Sequence, residues 1–311
     1  MNIFMQRNSK VGIVCCSNGQ AISNKATIEL LQQTLLEIGL TPVFSDCIYA
    51  KESVFSGTAR ERAEALMNFY QNEEIKVIFD ISGGDIANEI LPYLDFDVIA
   101  EADKLFWGYS DLTTIINAIY AKTGKESVLY QVKNLVSGDS KRQIANFTDY
   151  IFAENKDVIS CNYESVQKEN RHLIENERTQ NRSLFSFAYE FVQKESMQGI
   201  LVGGNIRCLL KLAGTPYFPE MNKKVLLLEA RSGEVPQMVT YLNQLKQMGV
   251  FEKINGILLG TFTAMEKKQC VPCIETLVKE YAGCEIPIAI TKEIGHGVDS
   301  KAIVIGKSIC L

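Results

Sequence analysis

The stretch KLFWGYSDLTTIINAIYAKTG, residues 104–124, decides the fold. A short apolar run at residues 105–107 predicts a strand, and Gly108 permits a sharp turn after it. Apolar residues then recur at helical spacing: Leu112, Ile115, Ile116 and Ile119. The stretch therefore predicts a strand, a tight turn and an amphipathic helix.

Ser110 lies between this predicted strand and helix. The free N–H groups and the positive dipole end of a helix N-terminus favour an alkoxide, so Ser110 is a candidate nucleophile. The spacing resembles a nucleophile elbow, but Asp111 and Leu112 stand where the G-x-S-x-G pattern would end. The alternative interpretation is that Ser110 simply caps the helix.

The same alternation of strands and helices extends through the first part of the chain. Strands are predicted at residues 11–16, 41–44, 77–81 and 105–107, with helices between them. This order predicts an α/β fold with an N-terminal, mainly parallel open sheet flanked by helices. A second patterned region predicts a smaller C-terminal α/β domain, with strands at residues 199–202, 225–228, 254–259, 286–290 and 302–305.

The predicted domain boundaries follow from these patterns. Residues 1–135 form the N-terminal domain, 136–190 a polar connecting segment, and 191–311 the C-terminal domain. His172 lies in the charged part of the connecting segment, which is typical of a solvated surface histidine. We expect the active site between the two domains.

Two polar loops follow predicted strands, SGGD at residues 82–85 and GYSD at residues 108–111. Ligands of open α/β sheets bind beyond the carboxyl ends of the strands. The SGGD loop lacks both the G-x-G-x-x-G and the Walker patterns of phosphate loops. Its backbone N–H groups could instead form an oxyanion hole, and the alternative is a plain tight turn.

Composition excludes several classes of protein. The 46% hydrophobic and 22% charged residues are typical of a globular protein, and a net charge of -5 argues against a nucleic-acid partner. No apolar run approaches the roughly 18 residues that indicate a membrane span, so no membrane partner is expected. The N-terminus lacks the pattern of a signal peptide, which predicts a cytoplasmic protein.

The nine cysteines indicate reduced thiols rather than a disulfide framework, because no secretion signal accompanies them. Cys270 and Cys273 form one C-x-x-C motif, but a zinc site needs a second pair of ligands. We therefore predict no metal and no cofactor.

A nucleophilic serine needs a base, and a carboxylate that orients the base. The chain has two histidines. One of them, His296, follows a predicted strand and is flanked by two glycines. Glu229 follows the apolar strand at residues 225–228. Ser110, Glu229 and His296 are thus all expected at strand ends, although a glutamate there could also be a salt-bridged rim residue.

These residues resemble the LD-carboxypeptidases and the related microcin C self-immunity peptidases over almost the whole chain. The resemblance rests on the glycine-flanked His296 and on four stretches: SGGDIANEILPYLDFDVI (82–99), residues 104–124, GILVGGNIRCLLKLAGTPYFPE (199–220) and KVLLLEA (224–230). The run NAIYAKTG is closer to the immunity branch.

The resemblance implies a serine peptidase without a metal, with its site between two domains. Ser110 would be the nucleophile, His296 the general base and acid, and Glu229 the residue that orients His296. The backbone N–H groups of Asp111 and Gly84 would form the oxyanion hole. Gly83 and Asp85 of the SGGD loop and Asn205 of the VGGN loop are predicted to bind substrate, and family members are often homodimers.

Some positions differ from the family pattern. The family commonly has an arginine and an aromatic residue around the first glycine pair, where this chain has Ser82 and Asp85. A Gly-Pro is usual where this chain has Tyr130-Gln131, and an acidic residue is common where it has Ala230. All of these positions affect the pocket, so the substrate is the least determined part of the prediction.

Our leading hypothesis is a serine carboxypeptidase that hydrolyses an amide near an acidic terminus. Its substrate would be a murein tetrapeptide ending in D-alanine, or a microcin C-like aminoacyl nucleotide. One alternative is a catalytically silent peptide- or nucleotide-binding protein on the same scaffold. A second is a nucleotide-binding enzyme that uses the SGGD and VGGN loops for phosphate.

Overall fold

The computed structural model describes residues 5–138, 140–153, 164–165 and 183–311. His172 lies outside these residues. The strands of the described part are β1 (Lys10–Val14), β2 (Thr41–Phe44), β3 (Ile75–Asp80), β4 (Leu105–Gly108), β5 (Ser127–Leu129), β6 (Glu164–Ser165), β7 (Ala188–Gln193), β8 (Gln198–Asn205), β9 (Lys224–Ala230), β10 (Gly256–Phe262), β11 (Ile288–Ile290), β12 (Ile303–Ile305) and β13 (Ser308–Cys310).

Most of the α-helices lie between these strands, as the alternating pattern predicts. In the described part they are α1 (Lys25–Ile38), α2 (Ala59–Gln71), α3 (Phe96–Glu101), α4 (Thr113–Thr123), α5 (Ser140–Ile151), α6 (Ile206–Leu210), α7 (Val235–Gln247), α8 (Thr263–Lys267) and α9 (Ile274–Ala282).

The N-terminal sheet has the strand order β12-β5-β4-β3-β1-β2, and β1 to β5 are parallel to one another. Alternate residues of its strands face opposite sides: Phe106 packs with residues of α2 and α4, whereas Trp107 packs with residues of α1 and α5. Both faces are therefore covered by helices, as expected for parallel strands with apolar runs.

The C-terminal sheet has the order β13-β8-β9-β10-β11-β7-β6, with a parallel centre from β8 to β11. One face packs against α7 and α9. The other face shares a hydrophobic core with α4, in which Ile115 and Ile116 lie in the same cluster as Leu201 and Leu227. The two-domain α/β fold is confirmed, and α4 is the helix packed between the two sheets.

One strand lies in a different sheet from the one predicted. Residues 302–305 were expected to complete the C-terminal sheet, but β12 pairs antiparallel with β5 in the N-terminal sheet. Its side chains explain this position, because Ile303 and Val304 enter the cores on opposite faces of that sheet. The last strand, β13, then pairs with β8, so the chain end connects both sheets.

The described ends of the predicted connecting segment contribute to the core. Phe147 and Ile151, one helical turn apart on α5, are buried, and so are Leu184 and Phe185. Phe147 and Phe185 both pack edge-on against the ring of Trp107. The segment is polar in composition, but a few apolar residues among polar neighbours are enough to anchor its described ends in the core.

Candidate active site

Ser110 lies at the turn between β4 and α4. Its φ angle is 57°, in the left-handed region that non-glycine residues rarely adopt. Such a conformation costs about 1–3 kcal/mol and persists only where the surroundings hold it in place. A one-turn 3-10 helix, Ser110–Leu112, follows and leads into α4. The serine side chain is thus presented on a strained turn, although the G-x-S-x-G pattern is absent.

Helix α4 is held in place by polar as well as apolar contacts. The side-chain amide of Asn117 donates to the carbonyl of Gly203 at 2.9 Å and accepts from the N–H of Gly203 at 2.8 Å. This paired contact joins α4 to β8 of the other domain. The position of Ser110 is therefore tied to the C-terminal sheet.

Glu229 is fully buried near the end of β9, where it lies opposite Asn205 of β8. A buried carboxylate is costly unless it is hydrogen-bonded or paired with a charge. Its Oε2 lies 2.7 Å from Nδ1 of His296. Full burial argues against the alternative interpretation of Glu229 as a salt-bridged residue on the rim.

His296 lies in the loop between β11 and β12. Gly295 brings this loop against β10, since a Cβ added there would overlap the hydroxyl of Thr261. The backbone N–H of Thr261 donates to the carbonyl of Ile294 at 2.9 Å. Only glycine permits this close approach, and the approach places the imidazole between Glu229 and Ser110.

The structure brings the three predicted residues together. Oγ of Ser110 lies 3.1 Å from Nε2 of His296, whose Nδ1 faces Glu229. The result is a hydrogen-bonded chain of hydroxyl, imidazole and carboxylate. Such a chain can move a proton from the serine to the histidine while the carboxylate stabilises the imidazolium.

Tyr109 is a neighbour of this chain that we did not predict. Its hydroxyl lies 3.3 Å from Nδ1 of His296 and 3.5 Å from Oε2 of Glu229, and its ring packs edge-on against the imidazole at 4.7 Å. Burial first, and then the nearby Glu229, raise the pKa of Tyr109 well above its usual value. The phenol therefore stays protonated, and its position directly before Ser110 was the available sequence signal.

The two predicted oxyanion donors lie in loops that follow neighbouring strands, Gly84 after β3 and Asp111 after β4. Gly84 and Gly83 line the cleft together with Ser110. Gly84 has a φ of 123°, and a Cβ there would overlap the side chain of Asn18, so the loop requires glycine. Asp111 is the second residue of the 3-10 helix, where backbone N–H groups lack intrahelical partners.

The backbone N–H of Asp111 is the predicted oxyanion donor, whereas its side chain lies in a buried hydrogen-bond network. Its Oδ2 accepts from the hydroxyl of Ser17 at 2.7 Å and from the N–H of Ala87 at 2.9 Å. Its Oδ1 forms an ion pair with Lys211, just beyond α6. Lys211 also donates to the carbonyl of Asp85 at 2.7 Å.

Asp85 takes part in the second ion pair of this group. Arg207 of α6 pairs with the carboxylate of Asp85 and donates to the carbonyl of Gly84 at 3.2 Å. We call the two ion pairs, Asp111 with Lys211 and Asp85 with Arg207, the interdomain clamp. It joins both predicted oxyanion loops to the C-terminal domain.

Two of the predicted substrate-binding residues do not line the cleft, although Gly83 does. Asp85 is held at the surface by Arg207. Asn205 is buried, and its side chain caps α6 by accepting from the N–H of Cys208 at 3.4 Å. Both residues therefore have structural partners within the protein.

The cleft that contains Ser110 and His296 has a volume of about 530 Å³. Its lining includes three basic side chains, Lys133, Arg231 and Lys267, which we call the cleft cations. The described residues contain no group of three or more histidine, cysteine or acidic side chains that could hold a metal ion. Nor do they contain a helix long and apolar enough to cross a membrane.

Comparison with known proteins supports one family. The profile of the LD-carboxypeptidase N-terminal domain matches residues 11–131, and that of the C-terminal domain matches residues 198–311. The probable murein peptide carboxypeptidase of Bacillus subtilis is 27% identical over 88% of this chain and 80% of its own length. The microcin C7 self-immunity protein MccF of Escherichia coli is 26% identical over 78% of this chain and 72% of its own length.

A solved structure supports the same conclusion for the fold. MccF in complex with glutamyl sulfamoyl guanosine superposes with a TM-score of 0.81 and 22% identity, covering 98% of this chain and 93% of that chain. The two family profiles match both α/β domains, in the order that the structure shows. The chain belongs to the LD-carboxypeptidase family.

Proposed function

We propose that this protein is a serine peptidase whose nucleophile is Ser110. The observation that carries the proposal is the hydrogen-bonded chain from Ser110 through His296 to Glu229, with distances of 3.1 and 2.7 Å. Residues 110, 229 and 296 come from distant parts of the sequence, and each depends on a local feature: the strained turn, the buried strand end and the loop at Gly295. Three independent local features that converge on one arrangement of side chains argue against a chance contact.

The proposed reaction has two steps. In acylation, Oγ of Ser110 attacks the scissile carbonyl while its proton passes to Nε2 of His296. The backbone N–H groups of Asp111 and Gly84 stabilise the oxyanion, and His296 then gives the proton to the leaving amine. In deacylation a water molecule attacks the ester, His296 accepts the proton of the water, and Ser110 regains it as the acid product leaves.

The substrate we propose is an amide near an acidic terminus. The Bacillus subtilis relative is named for murein peptides, and MccF for immunity to microcin C7. MccF has also been solved with glutamyl sulfamoyl guanosine. A murein tetrapeptide that loses its terminal D-alanine and an aminoacyl nucleotide are therefore the two substrates to compare.

The structure argues against the nucleotide-binding alternative. That hypothesis requires the VGGN loop to bind phosphate, but Gly203, Gly204 and Asn205 are buried within β8. Gly203 lies against the backbone of Leu227 and Gly204 against Thr113, so a phosphate has no room there. The SGGD loop alone faces the cleft.

The test is hydrolysis of both substrates by the wild type and by Ser110→Ala. We expect the wild type to cleave one of them and the variant to lose about 10⁴- to 10⁶-fold in kcat, as triad variants typically do. Ser308→Ala is a matched control, because Ser308 is an exposed serine of β13 outside the cleft lining. If both substrates bind and neither is cleaved, the peptidase proposal fails and the silent binding protein replaces it.

A second variant tests the role of Tyr109. Tyr109→Phe keeps the ring packed against His296 but removes the hydroxyl that lies near Nδ1 and Glu229. We expect a loss of about ten- to a hundredfold in kcat with KM little changed, since one hydrogen bond to a charged group contributes about 1.5–3 kcal/mol. An equal loss in kcat and rise in KM would show that the hydroxyl contacts substrate instead.

A further inference from the structure

The three cleft cations reach one cavity from three separate elements. Lys133 lies in the 3-10 helix Val132–Val136 that follows β5, Arg231 directly follows β9, and Lys267 ends α8. One comes from the N-terminal half and two from the C-terminal half. Their side chains line the same cleft as Ser110 and His296.

These cations are not paired within the part of the chain that the structure describes. Lys133 donates to the neutral side-chain oxygen of Gln20 at 3.3 Å, and none of the three forms an ion pair with a described carboxylate. Lys268 differs from its neighbour Lys267, because it pairs with Glu234 at 2.5 Å. Of these adjacent lysines, the one outside the cleft lining is paired, whereas Lys267 in the cleft has no carboxylate partner among the described residues.

The described lining of the cleft also contains no aspartate or glutamate side chain. The whole chain has a net charge of -5, so the positive character of this cavity is opposite to the overall charge. A cleft lined by charges of one sign concentrates the field and attracts a ligand of the opposite sign. An anionic ligand is therefore favoured at this site.

Two of the cleft cations, Lys133 and Arg231, repel one another. Burial has the largest effect on the pKa of Lys133 and lowers it; Cys15 and Asp80 raise it, and the positive charge of Arg231 lowers it by a smaller amount. A negative group bound between Lys133 and Arg231 would offset their repulsion and supply an ion pair to each.

We propose that Lys133, Arg231 and Lys267 form an anion subsite beside Ser110 that binds a carboxylate or phosphate group of the substrate. The identity of the substrate rests on the proposed peptidase function. The subsite would select substrates with a negative group close to the scissile amide, because only these can neutralise the cleft cations. A terminal carboxylate of a peptide and the phosphate or sulfamate of a nucleotide share this chemistry.

The experiment measures binding in the Ser110→Ala protein, so that hydrolysis does not affect the result. The ligands are the murein tetrapeptide with a free C-terminal carboxylate, the same peptide with a C-terminal amide, and adenosine monophosphate. We expect the free C-terminal carboxylate or the phosphate ligand to bind about tenfold more tightly than the C-terminal amide, which corresponds to roughly one charge-assisted hydrogen bond. The carboxylate and phosphate ligands separate the two sources of the anion.

Substitutions in the same background locate the effect. Lys133→Met, Arg231→Met and Lys267→Met should each weaken binding of the anionic ligand about five- to tenfold, and amide binding less than twofold. Lys268→Met is the matched control, because it removes an equal charge one residue away and outside the cleft lining. Lys133→Gln provides a second variant if Lys133→Met folds poorly.

The outcomes are distinct. A preference for either anionic ligand that the three substitutions remove and Lys268→Met retains supports the subsite. The subsite is overturned if neither anionic ligand binds more tightly than the amide, or if Lys268→Met weakens binding as much as Lys133→Met. Intact binding without turnover by the wild type would overturn only the proposed peptidase function.

Discussion

Two groups of charged side chains lie beside Ser110 and differ in whether their charges are paired. The interdomain clamp joins each of its cations to a carboxylate, and Asp111 at its centre is fully buried. The cleft cations have no such partner among the described residues, and two of them are exposed. The difference indicates that the clamp maintains the geometry of the site, whereas the cleft cations are available to a ligand.

The largest effect is expected for Asp111→Ala, which breaks the clamp at its buried centre. Lys211, Ser17 and the N–H of Ala87 would all lose their acceptor, and removing one partner of a buried ion pair costs about 3–5 kcal/mol. The free energy of unfolding, measured by urea denaturation, should fall by this amount. A loss below about 1 kcal/mol, in the range of exposed pairs, would contradict the distinction between the two groups.

Lys211→Met should cost less than Asp111→Ala. The carboxylate of Asp111 would lose its ion pair but keep the hydrogen bonds from Ser17 and Ala87. We expect a loss of about 1–3 kcal/mol in the same urea measurement, the range for a buried group that loses one partner. Lys268→Met is the control for a surface ion pair and should change stability by less than about 1 kcal/mol.

Arg207→Met tests the exposed half of the clamp. Arg207 and Asp85 expose 39% and 59% of their side chains, so solvent screens their attraction. The free energy of unfolding should fall by less than about 1 kcal/mol. A loss as large as that of Asp111→Ala would show that the contact of Arg207 with the Gly84 carbonyl, rather than its ion pair, holds the SGGD loop.

The smallest effect, and of opposite sign, is expected for Lys133→Met. Because burial lowers the pKa of Lys133 in the folded protein, its charge opposes folding at pH values below that pKa. Removing the charge should raise the free energy of unfolding by about 0.5 kcal/mol at neutral pH, the scale of most surface substitutions. The gain should shrink as the pH rises through the folded and then the unfolded lysine pKa.

A urea series from neutral to alkaline pH measures this change, with Lys268→Met as the reference. A decrease in stability at neutral pH would mean that Lys133 supports the fold, and the contrast with the clamp would then be lost. An increase together with weaker anion binding would show that the same lysine opposes folding and favours the ligand.

Much of the fold was predictable because its signals are local. The apolar runs of β3 and β4, the helical spacing of Ile115 and Ile119 in α4, and the glycine that ends α1 are all properties of neighbouring residues. The sheet assignment of β12 was not predictable in this way. Its pairing with β5 depends on contacts between residues far apart in the sequence.

The candidate site also contains residues with a local sequence signal and residues without one. Ser110, Glu229 and His296 could be proposed because each residue type follows a predicted strand, and the family resemblance joined them. Arg231, two residues after Glu229, was equally visible in the sequence. It was missed because nothing local shows whether a surface cation has a partner.

The sequence by itself determined the α/β class and the family and predicted the candidate catalytic residues, because these depend on residue identity and short-range periodicity. Only the tertiary structure decided that Asp85 faces Arg207 rather than the cleft and that Asn205 caps a helix. It also decided that three cations with no ion pair among the described residues share the cavity with Ser110. The physical reason is that pairing and burial are properties of side chains brought together from both domains. A charged residue can be assigned a structural or a functional role only when its neighbours in space are known.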